Sequence, residues 1–411
     1  MKKPELISPA GDLEKMKIAF QYGADAVYAS TPKFSMRSRS EIKFDDKSLK
    51  EGIGFAHSIG KKVYLTLNTF PHSSEIDDFK RHALKTIKYN PDAIICADPG
   101  VIDFIKNHTN IPIHLSTQSN TTNYLSANFW KNQGINRIVL ARELNLKDID
   151  LISKKTKVEL EAFVHGAMCM AYSGRCQISN YMIGRDPNKG QCIQACRFKY
   201  KFKEYEVEEE LREGEKFKIY EDDHGTYLLN SKDLCMIDHI PDLINSGITS
   251  FKLEGRLKSI YYVGIVTRAY RQAIDLYFKD HKKYDIQKQA FVAEVSKTSS
   301  RGFTTGFYYQ KPNEETNDYK TSRAGSDWEF VGLVKKYNMS EKTVLVEVRN
   351  RLRTGADIEI VTPEKVYMHN LTEMICKDKK IDEAHAGYIV EFGFKHSLPQ
   401  NSFIRQKKIK E

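Results

Sequence analysis

Residues 5–30 read ELISPAGDLEKMKIAFQYGADAVYAS. A short apolar run from Glu5 to Ser8 precedes Asp12, which can cap an amphipathic helix, and a second apolar run follows from Ala26 to Ser30. Apolar β-branched runs that alternate with amphipathic helices are typical of βα units around a parallel sheet. This stretch therefore predicts the first βα unit of such a sheet and its second strand.

The same alternation continues and predicts eight strands within about 280 residues. Eight βα units favour a closed (β/α)8 barrel, and an open doubly wound sheet is the structural alternative because alternation alone does not show closure. The predicted strands are Glu5 to Ser8, Ala26 to Ser30, Val63 to Asn68, Ala93 to Cys96, Ile113 to Ser116, Arg137 to Ala141, Glu159 to Val164 and Ser250 to Glu254.

Polar residues near the ends of these strands are candidates for function, because barrel enzymes place their chemistry at the carboxyl ends of the strands. An amide can hydrogen-bond to a base edge, and a guanidinium can hold a carboxylate or phosphate with two parallel hydrogen bonds. The alternative for the arginines is an ion pair with a neighbouring glutamate. The predicted substrate-binding residues are Asn68, His114, Gln118, Arg142 and Arg256.

Two further residues at strand ends are predicted to be catalytic. Glu254 ends the eighth strand and would act as a general base or orient Arg256. His165 follows the seventh strand and directly precedes a cysteine-rich segment, where it would donate a hydrogen bond to a cofactor or substrate. The alternative for His165 is a buried histidine that closes the strand.

Five of the seven cysteines fall between Cys169 and Cys235, within the predicted insertion 166–248 between strands seven and eight. Their spacing is C-x6-C-x15-C-x3-C, with Cys235 further on. Thiolates gathered in one segment indicate zinc or an iron–sulfur cluster, both of which use four ligands. Only Cys192 and Cys196 have the close spacing of a zinc knuckle, so the pattern favours a [4Fe-4S] cluster. Zinc and ordinary buried thiols are the alternatives, and spacing does not identify the surplus cysteine.

The chain is predicted to contain a barrel over residues 1–280, a linker with an aromatic and glycine-rich segment over 281–327, and a small antiparallel β-domain over 328–411. Within the insertion, residues 230–233 read as a helix start. Alternating apolar positions from Trp328 onward support the final domain, which we expect to be a small β-barrel.

Composition places limits on the class of protein. The chain has 64 Lys and Arg against 54 Asp and Glu, a formal charge of +10, which suits an anionic partner such as RNA without requiring one. No run approaches the roughly 18 apolar residues of a membrane span, and no signal peptide follows the first residues. We expect a cytoplasmic protein with no membrane partner, whose thiols are reduced and not paired as disulfides.

Several motifs resemble a known family. They are residues 5–30, FVHGAMCMAYSGRC (163–176), RDPNKGQCIQACR (185–197), NSKDLC (230–235) and FKLEGRLKSIYYVGIVTRAYRQAID (251–275). They resemble the collagenase-like peptidase family U32, and most of all its tRNA hydroxylation branch. The resemblance covers residues 1 to about 310, and the C-terminal segment resembles the small β-barrel extension of that family.

The resemblance implies a [4Fe-4S] cluster held by Cys169, Cys176, Cys192 and Cys235, with Cys196 as the surplus thiol. It also implies oxygen-independent hydroxylation of carbon 5 of a wobble uridine in tRNA, with prephenate as a co-substrate linked to the hydroxyl source. Neither the reaction nor prephenate follows from composition or spacing.

Alternative functions come from different classes. The historical family label predicts a peptidase, but the sequence contains no HExxH or GxSxG motif. Hydroxylation of a cytidine in rRNA is the nearest alternative, and a non-catalytic assembly or RNA-binding protein is the third. Arg349, Arg351 and Arg353 alternate on one face, which predicts a tRNA-contacting surface or a solvated strand edge. A protein partner or homo-oligomer is left open.

Overall fold

The computed structural model describes residues 2–35, 44–169, 172–173, 176, 231–310 and 325–408, and the backbone of short strands between 207 and 227. Two units are distinguished by their internal packing. The first comprises residues 1–292 and 300–324, and the second comprises 293–299 and 325–411. The candidate ligands Cys192 and Cys196 lie outside the described residues.

Eight parallel strands form the centre of the first unit. Each strand from β1 to β7 pairs with the next, and β8 pairs with both β7 and β1, so the sheet closes and the open-sheet alternative is excluded. The predicted barrel is confirmed. The strands are β1 (Glu5–Ala10), β2 (Ala26–Ser30), β3 (Lys62–Leu67), β4 (Ala93–Cys96), β5 (Ile113–Leu115), β6 (Arg137–Val139), β7 (Glu159–Ala167) and β8 (Ser250–Leu253).

The helices between these strands begin at polar caps that the sequence supplies. Asp12 accepts a hydrogen bond from the backbone N–H of Lys15 at 2.8 Å, and Asp98, Asn123, Asn145 and Ser259 cap later helices in the same way. The helices are α1 (Leu13–Gln21), α2 (Asp46–Ser58), α3 (Ile76–Ile87), α4 (Pro99–Lys106), α5 (Tyr124–Asn132), α6 (Leu146–Lys155), α7 (Ile240–Asn245), α8 (Ile260–Lys279) and α9 (His281–Ser296). None of the helices in the described ranges has the length and apolarity that a membrane crossing demands.

A buried ion pair crosses the seam between β7 and β8, the strands on either side of the insertion. Glu161 on β7 and Lys252 on β8 are almost fully buried, and their charged atoms are 2.5 Å apart. Burial alone would raise the pKa of Glu161, but the charges of Lys252 and Arg137 outweigh it and lower that pKa. Arg137 also binds Glu5 at 2.5 Å and Glu159 at 2.8 Å. The interior at the amino ends of the strands is therefore charged and internally neutralised.

The insertion returns to the barrel through a strand, Asp233–Cys235. It pairs antiparallel with the end of β7, with Cys235 opposite His165, and parallel with the strand Phe303–Thr304. The helix start predicted at 230–233 is therefore wrong, because these residues extend the sheet. Four further strands of two or three residues lie between residues 207 and 227.

The segment predicted as a linker, 281–327, contains α9. Tyr284 is fully buried on this helix, where its hydroxyl donates to the Ile237 carbonyl at 2.9 Å and accepts from the Ile240 backbone N–H at 3.2 Å. The lysine-rich start of α9 led to the prediction of a linker. A few buried side chains, such as Tyr284, are nevertheless enough to hold a helix against its domain.

The second unit is an eight-stranded antiparallel sheet, as the alternating pattern predicted. Its aliphatic core includes Val344, Val346 and Ile358, all fully buried. The buried Arg405 binds Glu294 at 2.8 Å and Glu359 at 2.6 Å. Across the sheet the strands run in the order Val366–Asn370, Asp357–Val361, Phe403–Lys407, Trp328–Asn338, Thr343–Val348, Ile389–Gly393, Met374–Cys376, Lys379–Ile381.

Replacing Lys252 by methionine should destabilise the protein strongly. The substitution Lys252→Met leaves the buried Glu161 carboxylate without its nearest cation, which typically costs about 3–5 kcal/mol of unfolding free energy. The double variant Lys252→Met/Glu161→Leu should recover much of that loss. Urea denaturation measures both values.

The exposed pair Lys154 and Asp150 on α6 provides the control. Lys154→Met should change the unfolding free energy by at most about 0.5 kcal/mol. Equal losses for Lys252→Met and Lys154→Met would contradict a stabilising role for the seam pair.

Candidate functional site at the carboxyl ends of the strands

Asn68 follows β3, and Ser116 and Gln118 follow β5. The side chains of these three residues form one hydrogen-bonded group. Asn68 Nδ2 donates to Gln118 Oε1 at 2.8 Å and to Ser116 Oγ at 3.2 Å. Gln118 Nε2 donates to the Asn68 carbonyl at 2.8 Å, and Ser116 also hydrogen-bonds to Gln118. The amides of Asn68 and Gln118 are therefore held in one orientation.

Buried polar atoms lie beside this amide group on the same strand ends. Thr69 follows Asn68, and Asn120 and Thr121 follow Gln118 in the chain. The hydroxyl oxygens of Thr69 and Thr121 and the amide nitrogen of Asn120 have no hydrogen-bond partner among the described protein atoms. Buried polar groups are normally satisfied, so these atoms suit a polar ligand or water.

Cations line the interior at the β8 side. Lys252 Nζ lies 4.4 Å from the centre of the Tyr28 ring, and the Arg256 guanidinium lies 5.4 Å from the same ring. Arg256 is largely buried and donates a hydrogen bond to Ser30 Oγ. Sequence reasoning missed Lys252, although alternation along β8 places it on the same face as Glu254.

Arg142 follows β6 and contacts the cysteine segment. Its guanidinium lies 4.1 Å from the centre of the Phe163 ring and donates to the Ala167 carbonyl at 2.9 Å. The same nitrogen is 3.7 Å from Cys169 Sγ. The structure thus brings this predicted substrate-binding residue to the first cysteine.

The adjacent Glu143 also contacts the cysteine segment. Its carboxylate accepts from the Ser173 backbone N–H at 2.6 Å and from Ser173 Oγ at 3.0 Å. Ser173 lies between Cys169 and Cys176 and is largely buried. Sequence reasoning considered Glu143 only as an ion-pair partner of Arg142.

The structure places His165 among aromatic rings. A β-bulge in β7 puts Lys252 opposite Phe163 but Leu253 opposite His165, so the plain alternation of the strand is broken. The His165 ring packs near Tyr262 and Tyr270 of α8. Burial lowers its pKa to about 3, so the imidazole is neutral near pH 7.

Glu254 is largely buried beside the same bulge. Its backbone N–H donates to the His165 carbonyl at 2.9 Å, and its carbonyl accepts from the Tyr262 hydroxyl at 3.1 Å. Gly166 has φ +103°, and a Cβ there would lie 2.5 Å from the Glu254 carbonyl oxygen, so only glycine fits. The backbone that carries Glu254 is therefore held tightly. Its role as a base stays a prediction.

His114 lies in the barrel interior, below the amide group. Its ring packs edge-to-face on Tyr64 with a centroid distance of 4.7 Å, and its Nδ1 has no hydrogen-bond partner among the described protein atoms. Burial, with the charges of Arg137 and Lys252, lowers its pKa well below the usual value. A neutral buried ring of this kind contributes packing and no positive charge.

Family comparison agrees with this architecture. The model described as "Peptidase family U32" matches residues 11–318, and "Peptidase family U32 C-terminal domain" matches residues 326–405. The chain belongs to peptidase family U32.

Relatives of this U32 protein carry functional names. tRNA hydroxylation protein P of Escherichia coli is 38% identical over 401 residues, 89% of this chain and 87% of its own. tRNA hydroxylation protein P1 of Bacillus subtilis is 36% identical over 411 residues, 99% of this chain and 96% of its own. The 23S rRNA 5-hydroxycytidine C2501 synthase of Escherichia coli is 36% identical over 316 residues, 74% of this chain and 45% of its own.

The cysteines of the U32 protein differ in how well they suit a cluster. Cys169 is exposed, with its Sγ 3.7 Å from a nitrogen of the Arg142 guanidinium, and Cys176 is half-buried. Cys235 is buried, its thiol hydrogen-bonds with Tyr270, and burial raises its pKa to about 12. Within the described ranges no three metal-binding side chains converge. Cys169 and Cys176 therefore fit the implied group, whereas Cys235 as placed does not.

The aromatic and glycine-rich segment packs on the barrel unit. The Tyr308 hydroxyl donates to the Phe163 carbonyl at 2.6 Å, and Tyr309 hydrogen-bonds to His239 at 2.8 Å and to Asp242. Both tyrosines are thus hydrogen-bonded within the barrel unit, and Tyr309 keeps an exposed edge.

The pH dependence of stability should report the neutral state of His114. Its folded-state pKa lies below the unfolded value of about 6.5, so at lower pH only the unfolded chain gains a proton there. The contribution of His114 to stability is complete above that pH and is lost as pH falls toward the folded pKa. The unfolding free energy of wild type should therefore fall relative to His114→Phe by up to about 1.4 kcal/mol per pH unit below pH 6.5.

Urea denaturation from pH 8 to pH 5 measures this difference, and the value at pH 8 reports packing alone. A difference that does not vary with pH would contradict burial of a neutral imidazole at this position.

Proposed function

We propose that this U32 protein is a tRNA-modifying hydroxylase that forms 5-hydroxyuridine at the wobble position. The observation that carries the proposal is identity of 36–38% to tRNA hydroxylation proteins over nearly the whole chain. The polar side chains at the carboxyl ends of the barrel strands offer hydrogen-bonding groups for a nucleotide substrate.

The amide group of Asn68, Ser116 and Gln118 is proposed to receive the uracil base. A uracil edge presents two carbonyl acceptors and one N–H donor, and fixed amides offer the matching donors and acceptors. The unpartnered polar atoms of Thr69 and Thr121 lie next to this group in the chain and add further hydrogen-bonding capacity. The work of these residues is to bind and orient the base.

The cationic side of the interior is proposed to hold an anionic co-substrate. Lys252 and Arg256 flank Tyr28, and the described carboxylate contact of Lys252 is Glu161 alone. Lys252 is already paired with Glu161, so Arg256 is the cation proposed to bind a carboxylate of a co-substrate such as prephenate. Replacing a C–H bond by C–OH is a two-electron oxidation, so a reaction without oxygen needs both a hydroxyl source and an acceptor of two electrons. The resemblance links prephenate to the hydroxyl source.

A [4Fe-4S] cluster is proposed to be held by Cys169, Cys176 and two of Cys192, Cys196 and Cys235. Such a cluster supplies one-electron transfer when bound. The resemblance selects Cys192 and Cys235. Cys235 would have to leave its hydrogen bond with Tyr270 to serve as a ligand.

Nucleoside analysis tests the proposed reaction. In a strain that lacks the gene, 5-hydroxyuridine-derived nucleosides in tRNA should disappear, and the wild-type gene should restore them. Cys169→Ser should lower them by about tenfold or more, as loss of a cofactor-holding residue typically does. Mass spectrometry of digested tRNA measures the change.

The matched control is Cys376→Ser, which changes a half-buried thiol in the second unit and should leave the nucleosides at wild-type level. Unchanged nucleosides on deletion would refute tRNA hydroxylation. In that case, rRNA hydroxylation and cleavage of denatured collagen would be measured next, the latter testing the peptidase alternative.

The second unit is proposed to contact tRNA phosphates through Arg351 and Arg353. Both guanidinium groups share Glu383, with contacts of 2.5 Å and 2.7 Å, and both remain more than two-fifths exposed. Two cations on one carboxylate leave a net positive charge, and the carboxylate holds the guanidinium groups in place. Arg349, by contrast, is ion-paired with Glu347.

The variant Arg351→Ala/Arg353→Ala should weaken tRNA binding and reduce the slope of log affinity against log salt by about 2, one for each phosphate contact. Filter binding over a series of salt concentrations measures this. Lys379→Ala/Lys380→Ala removes the same charge from an edge strand and should have a smaller effect. If the two double variants weakened tRNA binding equally, a specific contact of Arg351 and Arg353 with tRNA phosphates would be contradicted.

A further inference from the structure

Two residues in the turn after β6, Arg142 and Glu143, hold the cysteine segment from both sides of Cys169. Arg142 and Glu143 are neighbours in the chain, yet their side chains contact different points of that segment. Arg142 reaches Ala167 and Cys169, and Glu143 reaches Ser173 with both carboxylate oxygens. The segment is therefore anchored before and after its first cysteine.

The anchoring bonds are of the strong kind. Each one involves a charged group, and charge-assisted hydrogen bonds are shorter and stronger than neutral ones. Glu143 satisfies a backbone N–H and a hydroxyl of the same residue at 2.6 Å and 3.0 Å, so Ser173 is fixed in both position and rotamer. The Arg142 guanidinium is itself fixed by stacking 4.1 Å from the centre of the Phe163 ring. A rigid strand end thus positions an irregular segment.

We propose that Arg142 and Glu143 are positioning residues for the cysteine segment, and that Arg142 tunes the cluster through its N–H contact with Cys169 Sγ. This inference rests on the proposed cluster for the tuning and stands without it for the positioning. A cation and an N–H donor at a ligand sulfur favour the more negative, reduced state of a cluster, so they raise its reduction potential.

Hydrogen exchange of the full-length, iron-free chain tests the positioning. In Glu143→Ala the backbone amide of Ser173 loses its charged acceptor, and its exchange should accelerate by about tenfold or more. In Glu143→Gln the side chain keeps one acceptor oxygen, so the exchange rate of the Ser173 amide should lie between the rates in wild type and in Glu143→Ala. Asp148→Asn removes an exposed negative charge nearby and should leave the exchange unchanged. Wild-type exchange in Glu143→Ala would overturn the positioning role.

Potentiometric titration of the anaerobically reconstituted protein, followed by absorbance and electron paramagnetic resonance, tests the tuning. Arg142→Gln should shift the midpoint to a lower potential, Arg142→Lys should restore part of the shift, and Lys147→Gln should not change it. A cluster in Arg142→Gln with the wild-type midpoint would overturn the tuning.

The two failures are distinguishable. If the wild-type protein takes up no iron and sulfide and shows no cluster spectrum, the proposed cofactor is wrong and the tuning is overturned with it. The exchange experiment would still decide the positioning role, because it needs no cluster.

Discussion

The ion pair between Glu161 and Lys252 joins β7 and β8, the consecutive barrel strands that are separated by the longest stretch of chain. The whole insertion lies between them, so the pairing of β7 with β8 depends on contacts that chain connectivity does not enforce. Both groups are buried, and an unpaired charge there would be costly. The ion pair therefore favours one register of β7 against β8. That register fixes where the residues at the carboxyl ends of these two strands lie.

Beyond the Glu161–Lys252 pair, toward the carboxyl ends of the strands, the regular pairing of β7 with β8 is interrupted by a β-bulge. The bulge in β7 turns the strand so that His165 packs on α8, and the strand continues to Ala167, where it meets the cysteine segment. Arg142 and Glu143, in the turn after the neighbouring strand β6, then hold that segment. Because β7 carries Glu161 and continues to the cysteine segment, we expect substitutions at the seam between β7 and β8 to affect both the unfolding free energy and cofactor binding.

The barrel was predictable because each βα unit repeats a local pattern, and all eight predicted strands were found. The amide group of Asn68 and Gln118 followed from the same rule, since strand ends converge. The sequence left open whether His165 faces a ligand or is a buried histidine, because the bulge that packs its ring near Tyr262 and Tyr270 cannot be read from alternation. Glu143 and Lys252 were missed because their roles depend on partners distant in sequence. The strand at Asp233 resembled a helix start because its pairing with β7 is nonlocal.

The most direct test of the account is an anaerobic structure of the iron-loaded protein bound to an anticodon stem-loop that carries a wobble uridine. The account predicts that the uracil ring lies at the carboxyl ends of the strands, in contact with the Asn68 and Gln118 amides, with the cysteine segment beside it. A uridine bound elsewhere on the surface, with Asn68 and Gln118 hydrogen-bonded only to each other and to Ser116, would contradict it.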